Sequence, residues 1–259
     1  VATGGYVALV VSLLVADALY TSPAGIFRAL ADPNIRFSLA LSLVSCAITA
    51  LLALWVAVPT GYVLSRWKPR KARGKFLRNF IEGIIDIPIV LPPLVIGLSL
   101  LILFRTIFGQ WFEQNIMPMT YEVSGLILAQ FTVACAFAIR AMRNTFAHIP
   151  ERPEAIARTL GANQSQAFWD IAFPAARRGM VSAASIAWAR SMGEFGPVLV
   201  FAGATRMKTE VLPTTIFLEL SQGNLEHAVS VSLVMVFLAL VVLCVVRIFG
   251  EGHQVHDRL

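Results

Sequence analysis

The amino-acid sequence predicts an all-α membrane protein, a polytopic bundle of about six transmembrane helices. Three observations carry that reading. Of its 259 residues 57% are hydrophobic and 14% charged, with a mean hydropathy of +0.73. Soluble domains carry roughly 25% charged residues, so most of this chain needs a non-aqueous solvent. Several apolar stretches reach the roughly 20 residues that cross a bilayer as a helix. The cations, finally, collect in two loops at span ends instead of spreading along the chain.

The first span runs from about Tyr6 to Tyr20, short and interrupted by Asp17. An outer segment follows, Thr21 to Asn34, with turn signals at Ser22-Pro23 and Asp32-Pro33. The second span covers about Ile35 to Leu64. It ends in a basic loop holding Arg66, Lys68, Arg70, Lys71, Arg73, Lys75 and Arg78, with no acid among them. The third span runs from near Phe80 to about Phe108 and contains Pro88, Pro92, Pro93 and Gly97. The fourth runs from about Val123 to Ile139. A polar loop with Arg140, Arg143, Arg152, Arg158, Arg177 and Arg178 separates it from the fifth, Met180 to Ala202. The sixth covers about Ala228 to Phe249. Residues 1–259 read as a single membrane domain, since the tail from Gly250 to Leu259 is too short to fold alone. The chain opens on Val1, which implies residues upstream, and shows no cleavable signal peptide.

A net charge of +6 and a pI near 9.7 can signal nucleic acid, but the distribution excludes it. Lys and Arg beside span ends orient them towards the cytoplasm and meet anionic lipid. Six crossings with both basic loops inside put both termini in the cytoplasm of a plasma-membrane protein. Cys46, Cys135 and Cys244 stand singly in apolar runs, without C-x-x-C, and read as small packing residues; no disulfide, zinc or other metal site is expected. His148 and His227 have no spaced partner ligands and read as surface residues. Trp55 and Trp111 read as lipid-facing or interface anchors.

The polar loop is built like a helical elbow. Glu151, Pro153 and Glu154 resemble a helix start, with Pro tolerated in the first turn and carboxylates at the positive dipole end. Ala155, Ala157 and Leu160 sustain the turns, and Gly161 suits the left-handed residue that ends them. A second short helix is expected near Asn163, with Phe168, Trp169 and Ile171 as apolar members and Pro174 as its stop. The competing interpretation is an ordinary amphipathic loop on the membrane surface.

The run Glu154-Ala155-Ile156-Ala157-Arg158-Thr159-Leu160-Gly161, then nine residues and Ile171-Ala172-Phe173-Pro174, resembles the EAA loop of ABC-importer permeases. Gly161, Ile171 and Pro174 fall in register, Phe173 stands for Leu, Ile156 replaces the second Ala, and the Glu-to-Gly spacing is one residue longer than the commonest form. The A-R-T-L-G-A variant is similar to the molybdate, tungstate and sulfate branch. The resemblance implies a short cytoplasmic coupling-helix loop, about residues 150–175, that docks on an ABC ATPase through Glu154, Ala155, Arg158, Gly161, Phe168, Ile171 and Pro174. It further implies a second copy of the chain and an extracytoplasmic oxyanion-binding protein received by Thr21–Asn34 and Gly203–Gly223. The chain carries no phosphate-binding G-x-x-x-x-G-K-[ST] loop. It is therefore expected to be a non-catalytic permease subunit that binds no cofactor, with ATP and magnesium on the partner.

The fifth span holds Arg190-Ser191-Met192-Gly193-Glu194-Phe195-Gly196-Pro197, which resembles the R-x-x-[GS]-E-F-G segment of the same branch. Ionisable groups inside a span cost about 2.5–3.5 kcal/mol each on insertion scales and usually face the bundle interior. Arg190 and Glu194 are four apart and can pair; Ser185, Ala189, Gly193 and Pro197 make a small-residue row. Either this helix lines the pathway and bends at Gly193 and Gly196, or the pair is a buried structural bridge. Glu194 repels an anion and takes the structural role, whereas Arg190 could attract one. In the third span Asp86, Pro88, Pro92 and Pro93 resemble the branch's D-x-P-x-x-x-P segment. Prolines break the helix there, and because broken helices tend to line cavities where protein satisfies the freed carbonyls, a pore-facing role is favoured over a packing kink. Arg105 near the outer end either steers anions or snorkels, with snorkelling favoured.

An intramembrane enzyme is disfavoured, as H-E-x-x-H and G-x-S-x-G are absent. An ion-driven secondary transporter using Asp17, Asp86 and Glu194 is the alternative; uptake surviving ATP depletion but not an uncoupler would favour it. Among oxyanions, the compact six-span plan resembles molybdate and tungstate permeases more than sulfate permeases.

Overall fold

The structure, a computed structural model, describes residues 2–251. Among them every regular element is helical. α1 (Ala2–Tyr20) is followed by the short outer helix α2 (Pro23–Ala31). Ser22 caps α2 by accepting a hydrogen bond from the Gly25 amide, and Pro23 occupies its first turn, where a missing N–H costs nothing. α3 (Pro33–Arg66) has 34 residues, about 50 Å at 1.5 Å per residue. It therefore outreaches a hydrocarbon core of about 30 Å and carries its last turns clear of it.

α3 shows why the sequence packs as it does. Its buried face contains Ser38, Ser42, Ser45, Thr49, Ala53, Ala57 and Gly61, a small-residue stripe at three- and four-residue intervals that lets another helix backbone come close. Val44, Leu51, Trp55 and Val63 point outwards, as lipid-facing side chains should. The stripe packs on α7 (Val123–His148) and on α11 (Arg177–Met192). Their shared core holds Ala50, Ala53, Ala57, Ala134, Ala138, Ala183 and Ala187 with Met142 and Phe146.

Between α3 and α7 lie α4 (Ala72–Val90), α5 (Pro93–Arg105) and α6 (Ile107–Asn115). α4 and α5 meet at Leu91-Pro92 with a bend of 110°. The third span expected from Phe80 to Phe108 is thus not one straight helix. Pro92 and Pro93 cannot continue the ladder of α4, Thr106 caps a fresh start for α6, and hydropathy is blind to such changes of direction. Among the described residues four helices are long and apolar enough to cross a membrane, five if the bent pair counts as one span. The fifth expected span is also broken. α11 has 16 residues, about 24 Å, and ends at Gly193 before α12 (Gly196–Phe201) continues. α13 (Leu212–Ser221) and α14 (Leu225–Glu251) complete the order, the last spanning the expected sixth segment; residues 252–259 of the tail lie outside the described region.

α12 packs against α5 almost backbone to backbone. A Cβ on Gly97 would lie 2.8 Å from the Pro197 Cα, and one on Gly196 3.0 Å from the Leu94 amide nitrogen. The two broken spans are held together at these glycines. Cys46 and Cys135 are buried as expected, whereas Cys244 is exposed.

Candidate functional site

The elbow after α7 is formed by α8 (Arg152–Thr159) and α9 (Gln164–Ala167). Gly161 has φ +99°, the left-handed conformation that costs a side-chain-bearing residue about 1–2 kcal/mol. Its amide bonds the Arg158 carbonyl at 3.2 Å and the Ala162 amide bonds the Ala157 carbonyl at 3.0 Å. These two bonds make a Schellman closure of α8. Asn163 opens α9 two residues later: its side chain accepts from the Gln166 amide, and the Gln166 side chain accepts from the Asn163 amide, both at 2.8 Å. This reciprocal capping box fixes the corner from both sides.

Pro174 does not stop the second helix. The chain widens into a π turn, Phe168–Ala172, in which the Phe173 amide bonds the Phe168 carbonyl. It then runs through α10 (Phe173–Ala175) towards α11. Pro174 has no amide to place, and a wider turn absorbs the mismatch in the ladder. Phe168 packs edge-on against Tyr62 at 4.7 Å and beside Phe146 at 6.3 Å, so the elbow is stapled to the ends of α3 and α7. Ile171 and Pro174 are half-buried beneath it.

Glu154 departs from its expected place on the docking face. It is 4% exposed, its Oε1 2.5 Å from Arg66 Nη2 and its Oε2 accepting the Tyr62 hydroxyl at 2.7 Å. Arg66 also donates to the Phe146 carbonyl at 2.9 Å. Lys68 reaches Glu151 at 2.6 Å and, by that hydrogen bond, holds the Glu151 carboxyl below its ordinary range. The two basic loops therefore meet at one end of the molecule. Ala155, Ile156, Arg158, Leu160 and Gly161 face outwards, with Leu160 83% exposed. This presents an apolar and cationic knob on a rigid base.

The pathway candidates separate into two groups. Pro92, Pro93, Arg190, Gly193, Glu194 and Gly196 line one cleft of about 290 Å³ together with Leu94 and Phe195. Arg190 Nη2 lies 2.8 Å from the buried Glu194 Oε1 in an ionic contact without hydrogen-bond geometry. Its guanidinium also covers the Phe137 ring at 5.5 Å. Gly193 is exposed and Arg190 partly so, leaving a cation accessible from the cleft. Asp86 and Pro88 lie elsewhere. Asp86 pairs with Arg140 at 2.9 Å, one turn from Glu82, which pairs with Arg78 at 2.9 Å and Arg143 at 3.3 Å. This ladder ties α4 to α7. The small-residue row does not form one internal seam, for Ala189 and Gly193 are exposed while Pro197 is buried.

Two buried groups had no signal in the sequence. Gln130, 2% exposed, accepts from Thr49 at 3.2 Å and donates to the Ser191 carbonyl at 3.4 Å. It links α3, α7 and the last turn of α11 beside the break, where a carbonyl needs a partner. Glu210, in the segment between α12 and α13, is 1% exposed with neither carboxylate oxygen hydrogen-bonded. Burial pushes its carboxyl above the usual range, with the Thr215 hydroxyl and Arg206 opposing the effect and Glu219 and Asp32 adding to it. A raised folded pKa means the native state keeps this proton at pH values where the unfolded chain releases it. Its contribution is full at low pH and is lost as pH rises through the raised value. Glu210→Gln, which cannot ionise, is therefore expected to flatten the fall in thermal midpoint from acid to alkali. Thermal unfolding in detergent across that range checks it; an unchanged pH profile would contradict it.

Known proteins resemble the chain as follows. Residues 57–252 match the family described as binding-protein-dependent transport system inner membrane component. The molybdate/tungstate transport system permease protein of Pyrococcus abyssi is 37% identical over 188 residues, 71% of this chain and 69% of that protein. The molybdenum transport system permease protein of Mycobacterium bovis is 30% identical over 231 residues, 88% and 85% of the two chains. A solved inward-facing methionine ABC transporter superposes with a TM-score of 0.67 at 18% identity, covering 85% of this chain and 98% of that one; at that identity the likeness is one of fold.

Proposed function

The chain belongs to the binding-protein-dependent transport system inner membrane components, the permease subunits of ABC importers, and from that premise we propose that it conducts a tetrahedral oxyanion into the cytoplasm. Molybdate or tungstate is the first choice of cargo, as the resemblance of its motifs and the names of its relatives both suggest. The rigid elbow is the observation that carries the mechanism. A separate ATPase, bearing ATP and magnesium, docks on Ala155, Ile156, Arg158, Leu160 and Gly161. Phe168, Ile171 and Pro174 pass its motion to α11. Glu154 anchors the elbow to α3 rather than touching the motor. Both basic loops and both termini lie in the cytoplasm. Two copies enclose the path, and an extracytoplasmic binding protein delivers the anion to Thr21–Asn34 and Gly203–Gly223.

Within each copy, α5 and α12 form the wall of the path, and Arg190 is the cation an oxyanion meets in the cleft. An ion-coupled carrier is not favoured: Asp17, Asp86 and Glu194 sit on or beside three different helices, and the last two face arginines. The test reconstitutes the chain with its ATPase in proteoliposomes and adds binding protein loaded with molybdate, tungstate or sulfate in turn. ATPase stimulation and uptake with molybdate or tungstate support the reading. Stimulation by sulfate alone would move the cargo, and no response to any oxyanion-loaded protein would overturn it.

A further inference from the structure

We propose that Glu194 is the residue that lets the cleft release its anion, acting through Arg190 by offsetting that cation's charge without occupying its hydrogen-bond donors. The inference rests on the oxyanion reading above and gives a task within it to a carboxylate that reads as structural in the sequence. Arg190 and Glu194 are the two charged residues lining the cleft of about 290 Å³. The rest of its lining is proline, leucine, glycine and phenylalanine, so this one pair sets the charge that an anion meets there.

The contact between them is not built as a structural bridge. A buried ion pair holds a fold together when hydrogen bonds satisfy both partners, as Arg66 and Tyr62 satisfy Glu154. Glu194 is 1% exposed, yet its Oε1 accepts no hydrogen bond even with Arg190 Nη2 2.8 Å away. The Arg190 guanidinium is 32% exposed and lies over the Phe137 ring. It donates no hydrogen bond to any described residue. A guanidinium has five N–H donors in a fixed fork, and here the fork is open to the cleft.

An open fork grips an oxyanion in two places at once, and apolar walls strengthen that grip. Conduction needs the opposite balance: attraction enough to enter, too little to stay. A molybdate or tungstate dianion on an uncompensated arginine would be held instead of passed on. Glu194, buried beside the guanidinium, leaves the donors free to recognise the oxygens and cancels the surplus attraction. Its repulsion of the cargo is therefore its use. Asp86 cannot stand in for it, being paired with Arg140 on the face where α4 meets α7.

The test measures retention of molybdate alone by equilibrium dialysis against the complex of the chain with its ATPase in nanodiscs, without binding protein or nucleotide. A charge within about 4–6 Å moves an ionic equilibrium by about 1–3 powers of ten. E194Q is therefore expected to hold molybdate at least about tenfold more tightly than wild type, and R190Q/E194Q to lose that gain. In proteoliposomes with loaded binding protein, E194Q should lower the maximal uptake rate severalfold and leave the half-saturating binding-protein concentration unchanged. Should E194Q fold poorly, E194D serves instead: it keeps the charge but draws it back from the guanidinium, and should retain an intermediate amount. Equal retention by wild type and E194Q would overturn the proposal. So would a fall in uptake without a gain in retention, which is the mark of a structural bridge, or a gain that persists in R190Q/E194Q, which puts the anion elsewhere. The dialysis needs no transport, so a wild-type complex that imports no oxyanion fails the cargo reading while the retention ratio still decides this one.

Discussion

Gly161→Asp is expected to leave the chain inserted and folded while cutting coupled uptake by at least about tenfold, the consequence of losing roughly 1.4 kcal/mol at a docking surface. Two effects act together. A side chain at φ +99° strains the closure of α8 by about 1–2 kcal/mol, and the Asp carboxylate places a charge beside Ile156 and Leu160, which a partner must cover. A Cβ at this position meets nothing within 4 Å, so the bundle itself loses nothing else. The comparison series separates the effects. Gly161→Ala carries strain alone, and Gly161→Asn carries an isosteric neutral side chain that tolerates the left-handed conformation better. The expected order of uptake is Gly, then Asn, then Ala, with Asp lowest, at unchanged thermal midpoint to within a few degrees. Undiminished uptake with normal ATPase stimulation in Gly161→Asp would remove the elbow from the mechanism.

What the sequence could reveal and what it could not follow one physical division. The elbow was legible because its determinants are local: a Gly that must turn left, an Asn that caps, a Pro that lacks an amide. The breaks at Pro92-Pro93 and at Gly193 were legible for the same reason, although their angle was not, since 110° depends on what α5 and α12 pack against. Hydropathy showed the third and fifth segments as unbroken because it sums transfer energies and carries no direction. The ionic and polar partners were illegible. Glu154 finds Arg66 across 88 positions and Gln130 finds Thr49 across 81; nothing near either residue foretells the pairing. Hence Glu154 reads as a docking residue in the sequence and sits as an anchor in the fold. The π turn at Phe168–Ala172 escaped notice because it answers to Pro174 and to the rings of Tyr62 and Phe146 together.

The anchoring role of Glu154 yields the second large effect. Glu154→Ala leaves the Arg66 guanidinium, 15% exposed, with the Phe146 carbonyl, a 4.0 Å contact to Glu151 and the face of the Tyr62 ring at 5.7 Å. It also leaves the Tyr62 hydroxyl without its acceptor. Removing one partner of a buried pair costs about 3–5 kcal/mol, and the partial exposure of Arg66 puts this case near about 3 kcal/mol. That energy falls on the joint between α3 and α8, so the elbow should loosen while the α3–α7–α11 core stays folded. ATPase stimulation by loaded binding protein should drop severalfold, and amides of α8 should exchange faster with deuterium than those of α7. The paired replacement Arg66→Met with Glu154→Met fills the same volume with apolar side chains, and such exchanges are often neutral or stabilising. It is expected to restore both α8 protection and most of the stimulation. Restored protection without restored stimulation would show that the Glu154 carboxylate itself meets the motor and that its burial against Arg66 is only a resting arrangement.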